Sequence, residues 1–285
     1  MENKIKYKLF FSDLDHTLVV DDHIPTFNLE AINQAKEKGV KFVICTGRSY
    51  NAMSHLLKEL NTENLENEYT VCYSGAVIYE NKNQKIIYFK GVEYETTKLL
   101  FEYAKKFKDV LILFYTFDLA YVLNEEMIEK EKWKYLKHKV LKNIEELQNC
   151  KVIRIIFFTK DYNYTFEIQN EIKKDKTFEG KITTFMTGSF LEINTFGVCK
   201  GEALKWLSNY LNIDVKETIA IGDDFNDESM IKEAGLGCCV KSAKDDIKKI
   251  SKYVCNKDFF EGSVKEVIDK FILNEDSLFD LLINK

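Results

Sequence analysis

Two aspartates, two residues apart, follow a short apolar run near the start of the chain. Asp13 and Asp15 come just after Leu9-Phe10-Phe11. A run of this kind is typical of a buried strand, and ligands bind at the carboxyl ends of such strands in an open α/β sheet. Two carboxylates there repel each other and are costly to desolvate unless a cation or a shared proton compensates. The pair therefore predicts a hard metal ion and a reaction at oxygen or phosphorus.

Three further segments carry oxygen ligands or phosphate-binding groups, and each follows an apolar strand or opens a helix. They are Thr46-Gly47-Arg48, Lys200-Gly201 and the GDDFND sequence at 222–227. In a parallel sheet the carboxyl ends of the strands meet at one edge, so we expect all four segments to lie together. The chemistry that suits them is phosphoryl transfer.

In such a reaction Asp13 would attack phosphorus and form an aspartyl phosphate. Both the carboxylate and the phosphate are anionic, so a cation must lie between them. Mg²⁺ prefers oxygen ligands and uses one or two carboxylates, and Asp13 and Asp223 are the obvious pair. Asp15 would protonate the leaving oxygen and later activate water.

The phosphoryl group itself needs donors and a fixed positive charge. The hydroxyl of Thr46 and the amide of Gly47 would hydrogen-bond its oxygens, and Lys200 would stabilise the charge of the transition state. Arg48 either reaches the substrate or forms an ion pair at a helix start.

The elements that position these residues predict an α/β fold. Helical spacing at 28–38 and about 50–61 alternates with strands at 40–45 and near 70–73, a progression with parallel crossovers. The same rhythm is expected again from about residue 189, where FLEINTF begins a strand-like run.

The part between these stretches has a different character, rich in β-branched and aromatic residues. It predicts a separate α+β module with an antiparallel sheet. Its expected helices are at about 94–107, 125–142 and 163–175, and its expected strands are at 110–124 (a hairpin), 151–159 and 181–186.

Taken in order, the four segments resemble the signature motifs of the haloacid dehalogenase superfamily. Only 33 positions separate Asp13 from Thr46, whereas 154 separate Thr46 from Lys200, so an inserted cap fits only between the second and third motifs. This arrangement resembles the Cof-like phosphatases. The resemblance implies a Rossmann-like, doubly wound parallel sheet as the core (1–82 and 189–285). It also implies an α+β cap that sets substrate specificity (83–188).

The resemblance also implies roles residue by residue. Catalytic roles fall to Asp13, Asp15, Thr46 and Lys200, phosphate binding to Thr46, Lys200 and Asn226, and Mg²⁺ binding to Asp13, Asp15 (through its main-chain carbonyl), Asp223 and Asp227. Gly47 and Arg48 complete the candidate substrate-binding residues on the chemistry given above. The chain departs from the family pattern at three positions. His16 stands where glycine is usual, and Ser74 and Ser242 each replace an asparagine.

Composition narrows the class of protein. A net charge of −5 argues against nonspecific nucleic-acid binding. No apolar run is long enough for a membrane helix. Seven cysteines without a secretion signal suggest reduced thiols and a cytoplasmic protein. The expected partner is a small phosphate ester.

Two other functions stay open. A sugar phosphomutase shares the four motifs but binds a second phosphate in its cap, usually through arginines. Arg154 is the only arginine of the expected cap, so lysines would have to substitute. A regulator that retains the pocket as a sensor is the non-enzymatic alternative.

Overall fold

The computed structural model describes residues 6–129 and 136–273. The strands in this part of the chain are β1 (Leu9–Ser12), β2 (Lys41–Cys45), β3 (Tyr69–Cys72), β4 (Val77–Glu80), β5 (Lys85–Phe89), β6 (Leu111–Tyr115), β7 (Ala120–Leu123), β8 (His138–Val140), β9 (Arg154–Phe158), β10 (Ile182–Thr187), β11 (Phe190–Thr195), β12 (Thr218–Gly222), β13 (Leu236–Cys239) and β14 (Tyr253–Val254). The α-helices are α1 (Thr26–Glu37), α2 (Ser54–Glu59), α3 (Tyr94–Ala104), α4 (Tyr162–Lys174), α5 (Lys200–Tyr210), α6 (Glu228–Glu233), α7 (Asp245–Ile250) and α8 (Ser263–Ile268). None of these helices has the length and apolar character that crossing a membrane requires.

The chain divides into two compact units, Met1–Tyr88 with Cys199–Lys285 and Phe89–Val198. The first, here called the core unit, contains an eight-stranded sheet in the order β14-β13-β12-β1-β2-β3-β4-β5. Pairing is parallel from β14 through β3 and turns antiparallel between β3 and β4. Every residue of β1 and of β12 is buried, as expected of strands covered on both faces. The predicted parallel α/β core is confirmed.

The register of the central strands aligns the ends that carry the motifs. Ser12, the last residue of β1, lies opposite Ile44 in β2 and Ile221 in β12. The next residue, Asp13, donates its amide proton to the Ile221 carbonyl at 3.0 Å. The residues that follow β1, β2 and β12 therefore emerge side by side at one edge of the sheet.

The second unit, here called the cap unit, is built on a six-stranded sheet in the order β10-β11-β9-β6-β7-β8. All its pairings are antiparallel except that of β7 with β8. Alternate residues on one face of the sheet, such as Phe114 and Phe157, join Leu100 of α3 and Ile168 of α4 in a buried cluster. This separate, mostly antiparallel sheet agrees with the predicted α+β module.

The boundaries of the two units differ from the predicted ones. The strand β5 was expected in the cap but is the outermost strand of the core sheet. The FLEINTF run was expected in the core, yet its strand β11 pairs with β9 and β10 of the cap sheet. Apolar alternation is the same for a strand of either sheet, so it could not show which sheet each strand joins.

The predicted helix over 125–142 is also wrong for the described residues. Glu125–Met127 form a short 3₁₀ turn, and His138–Val140 form β8, which pairs with β7. Pairing with a neighbouring strand outweighs the helical propensity of this Lys- and Glu-rich stretch. Residues 130–135 lie outside the described part.

Candidate active site

The side chain of Lys200 lies between two carboxylates at the edge of the core sheet. Its Nζ donates to Oδ1 of Asp13 and, at 2.5 Å, to Oδ1 of Asp227. The Lys200 side chain is fully buried and the Asp13 side chain is 8% exposed. A lysine buried to this extent is stable only because two anions surround it. The four motifs predicted this meeting of Asp13 and Lys200, but not the contact of Lys200 with Asp227.

The loop after β12 presents a third carboxylate to this cluster. Asp223 accepts a 3.0 Å hydrogen bond from the hydroxyl of Thr17, which is itself fully buried. Oδ2 of Asp227 accepts hydrogen bonds from the amides of Asp223 (2.9 Å) and Asp224 (3.2 Å). Asp227 therefore holds both the loop backbone and Lys200, while Asp223 points its carboxylate toward Asp13.

Gly222 belongs to this site, although the sequence analysis did not include it among the candidate site residues. A Cβ atom at position 222 would lie 2.4 Å from Cγ of Asp227. Any larger residue there would displace that carboxylate from Lys200. The signal was present in the sequence as the glycine that precedes the two aspartates.

The electrostatics of the cluster favour a bound cation. Burial, reinforced by the charge of Asp227, raises the pKa of Asp13 to about 7. Burial and the charges of Asp13 and Asp227 raise the pKa of Asp223 to about 9. Burial alone would lower the pKa of Lys200, but the two carboxylates that it contacts raise it well above its usual value. One lysine does not fully compensate three carboxylates.

The donor set fits a hard divalent metal ion. Asp13, Asp223 and Asp227 each offer an oxygen atom, and these atoms lie within 4.8 Å of one another. Carboxylate oxygens are the ligands that Mg²⁺ and similar hard cations prefer. The predicted metal cofactor is therefore supported at the level of an aspartate cluster in the core unit.

Asp15 lies beside this cluster and is paired with Arg48. The Arg48 Nε lies 3.1 Å from Asp15 Oδ2, and its Nη2 lies 2.5 Å from Oδ1. The remaining nitrogen, Nη1, donates to Asp22 at 2.5 Å. The sequence left open whether Arg48 reaches the substrate or forms an ion pair, and the structure shows the ion pair.

The remaining predicted residues lie in the turns at the same sheet edge. Thr46 is buried, and its Oγ1 accepts a 3.1 Å hydrogen bond from the amide of Arg48, which closes the turn through the half-buried Gly47. Asn226 is half-buried in the 3₁₀ turn Phe225–Asp227. The structure thus brings every predicted site residue to the core unit, whereas the role of each stays a prediction.

Two of the three departures from the family pattern occupy left-handed backbone. His16 has a φ of 57°, and Ser74 has a φ of 55° and a ψ of 30°. Glycine and asparagine adopt this region most readily, which explains why the family favours them there. The His16 ring packs edge-on against Phe259 at 5.4 Å. Ser242, the third departure, donates to Asp258 at 2.5 Å.

Comparison with known proteins agrees with this geometry. The family of haloacid dehalogenase-like hydrolases matches residues 10–268. The chain is 30% identical to a phosphoglycolate phosphatase of Methanobrevibacter smithii over 262 residues, which is 92% of this chain and 97% of that protein. It is 24% identical to 5-amino-6-(5-phospho-D-ribitylamino)uracil phosphatase YcsE of Bacillus subtilis over 266 residues, which cover 92% and 95% of the two chains.

A solved structure shows the same architecture. A sugar phosphatase of haloacid dehalogenase subclass IIB is 26% identical, with a TM-score of 0.77, and the match covers 93% of this chain and 98% of that one. The resemblance expected from the four motifs, including the Cof-like arrangement, is confirmed, as is the expectation of a phosphatase-related enzyme. The chain belongs to the haloacid dehalogenase-like hydrolases.

Proposed function

We propose that this protein is a Mg²⁺-dependent phosphatase that hydrolyses small phosphomonoesters through an aspartyl phosphate on Asp13. The observation that carries the proposal is the buried cluster in which Asp13 meets Lys200 and lies close to Asp223. A carboxylate in such a place serves phosphoryl transfer when a cation offsets its charge. Membership in a hydrolase family whose relatives include phosphatases supports the same class.

The proposed reaction has two steps, transfer of the phosphoryl group to Asp13 and hydrolysis of the aspartyl phosphate. A carboxylate oxygen of Asp13 bonds to phosphorus while the bond from phosphorus to the leaving oxygen breaks, and Asp15 gives its proton to that oxygen. Water then attacks the phosphoryl group and loses a proton to Asp15. This attack releases phosphate and regenerates Asp13. Lys200 holds a fixed positive charge against the transferred group.

The metal ion would be held by side chains of Asp13 and Asp223. Both oxygens of Asp227 already accept hydrogen bonds, from Lys200 and from two loop amides. We therefore expect Asp227 to orient Lys200 and the loop backbone at Asp223 and Asp224. When bound, Mg²⁺ supplies charge neutralisation between the nucleophile and the phosphate. The hydroxyl of Thr46 and the amide of Gly47 would bind the phosphoryl oxygens.

The substrate class in this proposal is a small metabolite phosphate, with sugar phosphates first. The subclass IIB relative is a sugar phosphatase, whereas the two curated relatives are named for different esters. Relatives with different substrates at 24–30% identity support the reaction class more than any one substrate. The cap unit, the inserted module, would set the choice. A cytoplasmic location, with no nucleic acid as partner, is part of this proposal.

A sugar phosphomutase is less well supported. Such an enzyme would usually bind a second phosphate through an arginine side chain of the cap unit. Arg154 donates to Glu192 at 3.0 Å there, and both side chains are about nine-tenths buried. No observation favours a sensor that retains the site without turnover.

The nucleophile is tested by Asp13→Asn with an aryl phosphate as substrate. We expect turnover to fall by at least about 10⁴-fold, because the amide cannot form the aspartyl phosphate. Asp245→Asn is the matched control, since its side chain is 90% exposed at the start of α7. Substantial activity in Asp13→Asn would contradict the assignment.

The cofactor and the substrate are tested on the wild-type protein. EDTA is expected to abolish activity and Mg²⁺ to restore it, whereas an unchanged rate in EDTA would overturn the metal proposal. A phosphate-release screen over sugar phosphates, nucleotides and cofactor phosphates, compared by kcat/KM, would then rank the substrates. A requirement for a sugar bisphosphate without net phosphate release would establish the mutase instead.

A further inference from the structure

The guanidinium group of Arg48 contacts two carboxylates beside the proposed nucleophile. Its Nε and Nη2 form two parallel hydrogen bonds to the two oxygens of Asp15, at 3.1 and 2.5 Å. Its Nη1 donates to Asp22 at 2.5 Å. A planar fork that matches both oxygens restricts the orientation of a carboxylate far more than one contact to a lysine would.

The backbone at Arg48 and at Asp22, the two residues whose side chains are joined beside Asp15, is fixed by local hydrogen bonds and turn geometry. The amide of Arg48 is bonded to Thr46 Oγ1 in the turn after β2. Asp21 and Asp22 have φ values of 50° and 62° and form the two-residue tip of a hairpin, a conformation that aspartate tolerates well. His55 lies 3.2 Å from the second oxygen of Asp22. Arg48 therefore connects a hairpin tip to Asp15.

Asp15 needs such a partner because its own packing does little to hold it. Its side chain is 49% exposed, whereas that of Arg48 is 25% exposed. A half-exposed carboxylate samples several rotamers unless a neighbour selects one. Misplacing a catalytic group by about 1 Å can cost about a hundredfold in rate.

We infer that Arg48 is a positioning residue, which orients the Asp15 carboxylate for the hydrolysis of the aspartyl phosphate. The inference rests on the proposed function. In that step the bond from a water oxygen to phosphorus forms, the bond from phosphorus to Asp13 breaks, and the proton of the water passes to Asp15. Asp15 enters this step as a carboxylate, the form that pairs with Arg48 in the structure. Arg48 acts only through the Asp15 carboxylate that it contacts, and it neither takes nor gives a proton in this step.

The test is pre-steady-state kinetics of Arg48→Ala with p-nitrophenyl phosphate, whose good leaving group needs little acid assistance. Slower hydrolysis of the aspartyl phosphate should lower kcat by about 10- to 100-fold. The value of kcat/KM, which reports the first half of the reaction, should stay within about threefold of wild type. A burst of p-nitrophenol approaching one equivalent per site should appear. Added guanidinium ion should raise kcat again.

Further variants keep the test decisive. The kcat of Arg48→Lys should lie between those of Arg48→Ala and wild type. Asp22→Asn should show a smaller loss of kcat with kcat/KM unchanged. Lys58→Ala, which removes an exposed ion pair, should have the kcat and kcat/KM of wild type. Raised KM, lowered kcat/KM and no burst in Arg48→Ala and Arg48→Lys would make Arg48 a phosphate ligand and overturn the inference. Equal losses of kcat and kcat/KM without a burst would overturn it as well.

Asp15→Asn separates the inference from the proposed function. A burst in Asp15→Asn but none in Arg48→Ala would overturn the inference while leaving the role of Asp15 intact. If acid quench traps a phosphoenzyme neither in the wild type nor in any of the variants, the aspartyl-phosphate proposal itself fails. A burst in both variants supports both.

Discussion

The buried ammonium group of Lys200 donates to Asp227 at 2.5 Å. This contact joins the first residue of α5 to the loop after β12. Lys200 also donates to Asp13, so one cation holds the proposed nucleophile and the loop that carries Asp223. The site is therefore a single electrostatic unit, and changes to any one charge should be felt by the others.

Lys200→Met should damage both activity and stability. Removing the cation leaves Asp13 and Asp227 buried without their common partner, which costs about 3–5 kcal/mol in comparable buried pairs. We expect kcat/KM to fall by about 10²–10³-fold. The loss of thermal stability should be smaller at about pH 5.5 than at about pH 8, because Asp13, whose pKa burial raises to about 7, is protonated at the lower pH and then needs no cationic partner. Lys205→Met, a change at a half-exposed position of the same helix, should leave both quantities unchanged. A fully active Lys200→Met would contradict the electrostatic coupling of Lys200 with Asp13 and Asp227.

The adjacent residues Asp223 and Asp224 should respond differently to the same substitution. Asp223 belongs to the carboxylate cluster, whereas Asp224 pairs with Lys244 at 2.6 Å. Asp223→Asn should therefore raise the Mg²⁺ concentration needed for half-maximal activity by at least about tenfold. Asp224→Asn should change it by less than about twofold. Equal effects of the two changes would argue against a metal site at Asp223, and titration of activity with Mg²⁺ decides the question.

Metal binding should strengthen as the pH rises. The folded pKa values of Asp13 and Asp223, about 7 and about 9, lie above the ordinary carboxyl value of 3.8. The metal-free cluster thus contributes stability that is fully present below about pH 4 and is lost as the pH rises through 7 and 9. A cation must displace those protons, so its affinity increases with pH.

The measurement is the rise in Tm that saturating Mg²⁺ produces at about pH 6 and about pH 9. We expect the larger rise at the higher pH. The same experiment on Asp223→Asn should show a smaller dependence on pH, because one of the two titrating carboxyl groups has been removed. An equal rise at the two pH values would mean that the carboxyl groups of the cluster are already ionised at pH 6, and it would contradict the prediction.

Asn194→Leu should stabilise the cap unit. The side chain lies in β11 and is fully buried, and neither its Oδ1 nor its Nδ2 has a hydrogen-bond partner among residues 6–129 and 136–273. Removing such a group recovers a desolvation cost of about 1–3 kcal/mol. Chemical denaturation measures the gain. Gln169→Leu is the matched control, because that buried amide donates to Thr184 and its loss should bring no gain. A destabilised Asn194→Leu would show that the amide has a partner in solution.

Much of the core and its site could be predicted from local sequence. An apolar run followed by an acid or a Thr-Gly pair predicts a strand end, and parallel strand ends meet at one edge. That rule predicts that Asp13, Thr46 and Asp223 lie together. The cap was harder, because pairing partners and not propensity decided where β5, β8 and β11 belong.

By itself, the sequence determined the type and order of the reactive groups. Acids at the ends of β1 and β12 and a lysine at the start of α5 follow from residue type and position alone. Only the tertiary structure decided which of them touch. Arg48 pairs with Asp15 across 33 positions, and Lys200 with Asp227 across 27. Such contacts depend on side-chain direction and burial, which chain spacing does not encode. The two aspartates after the first strand therefore have different partners, Lys200 for Asp13 and Arg48 for Asp15.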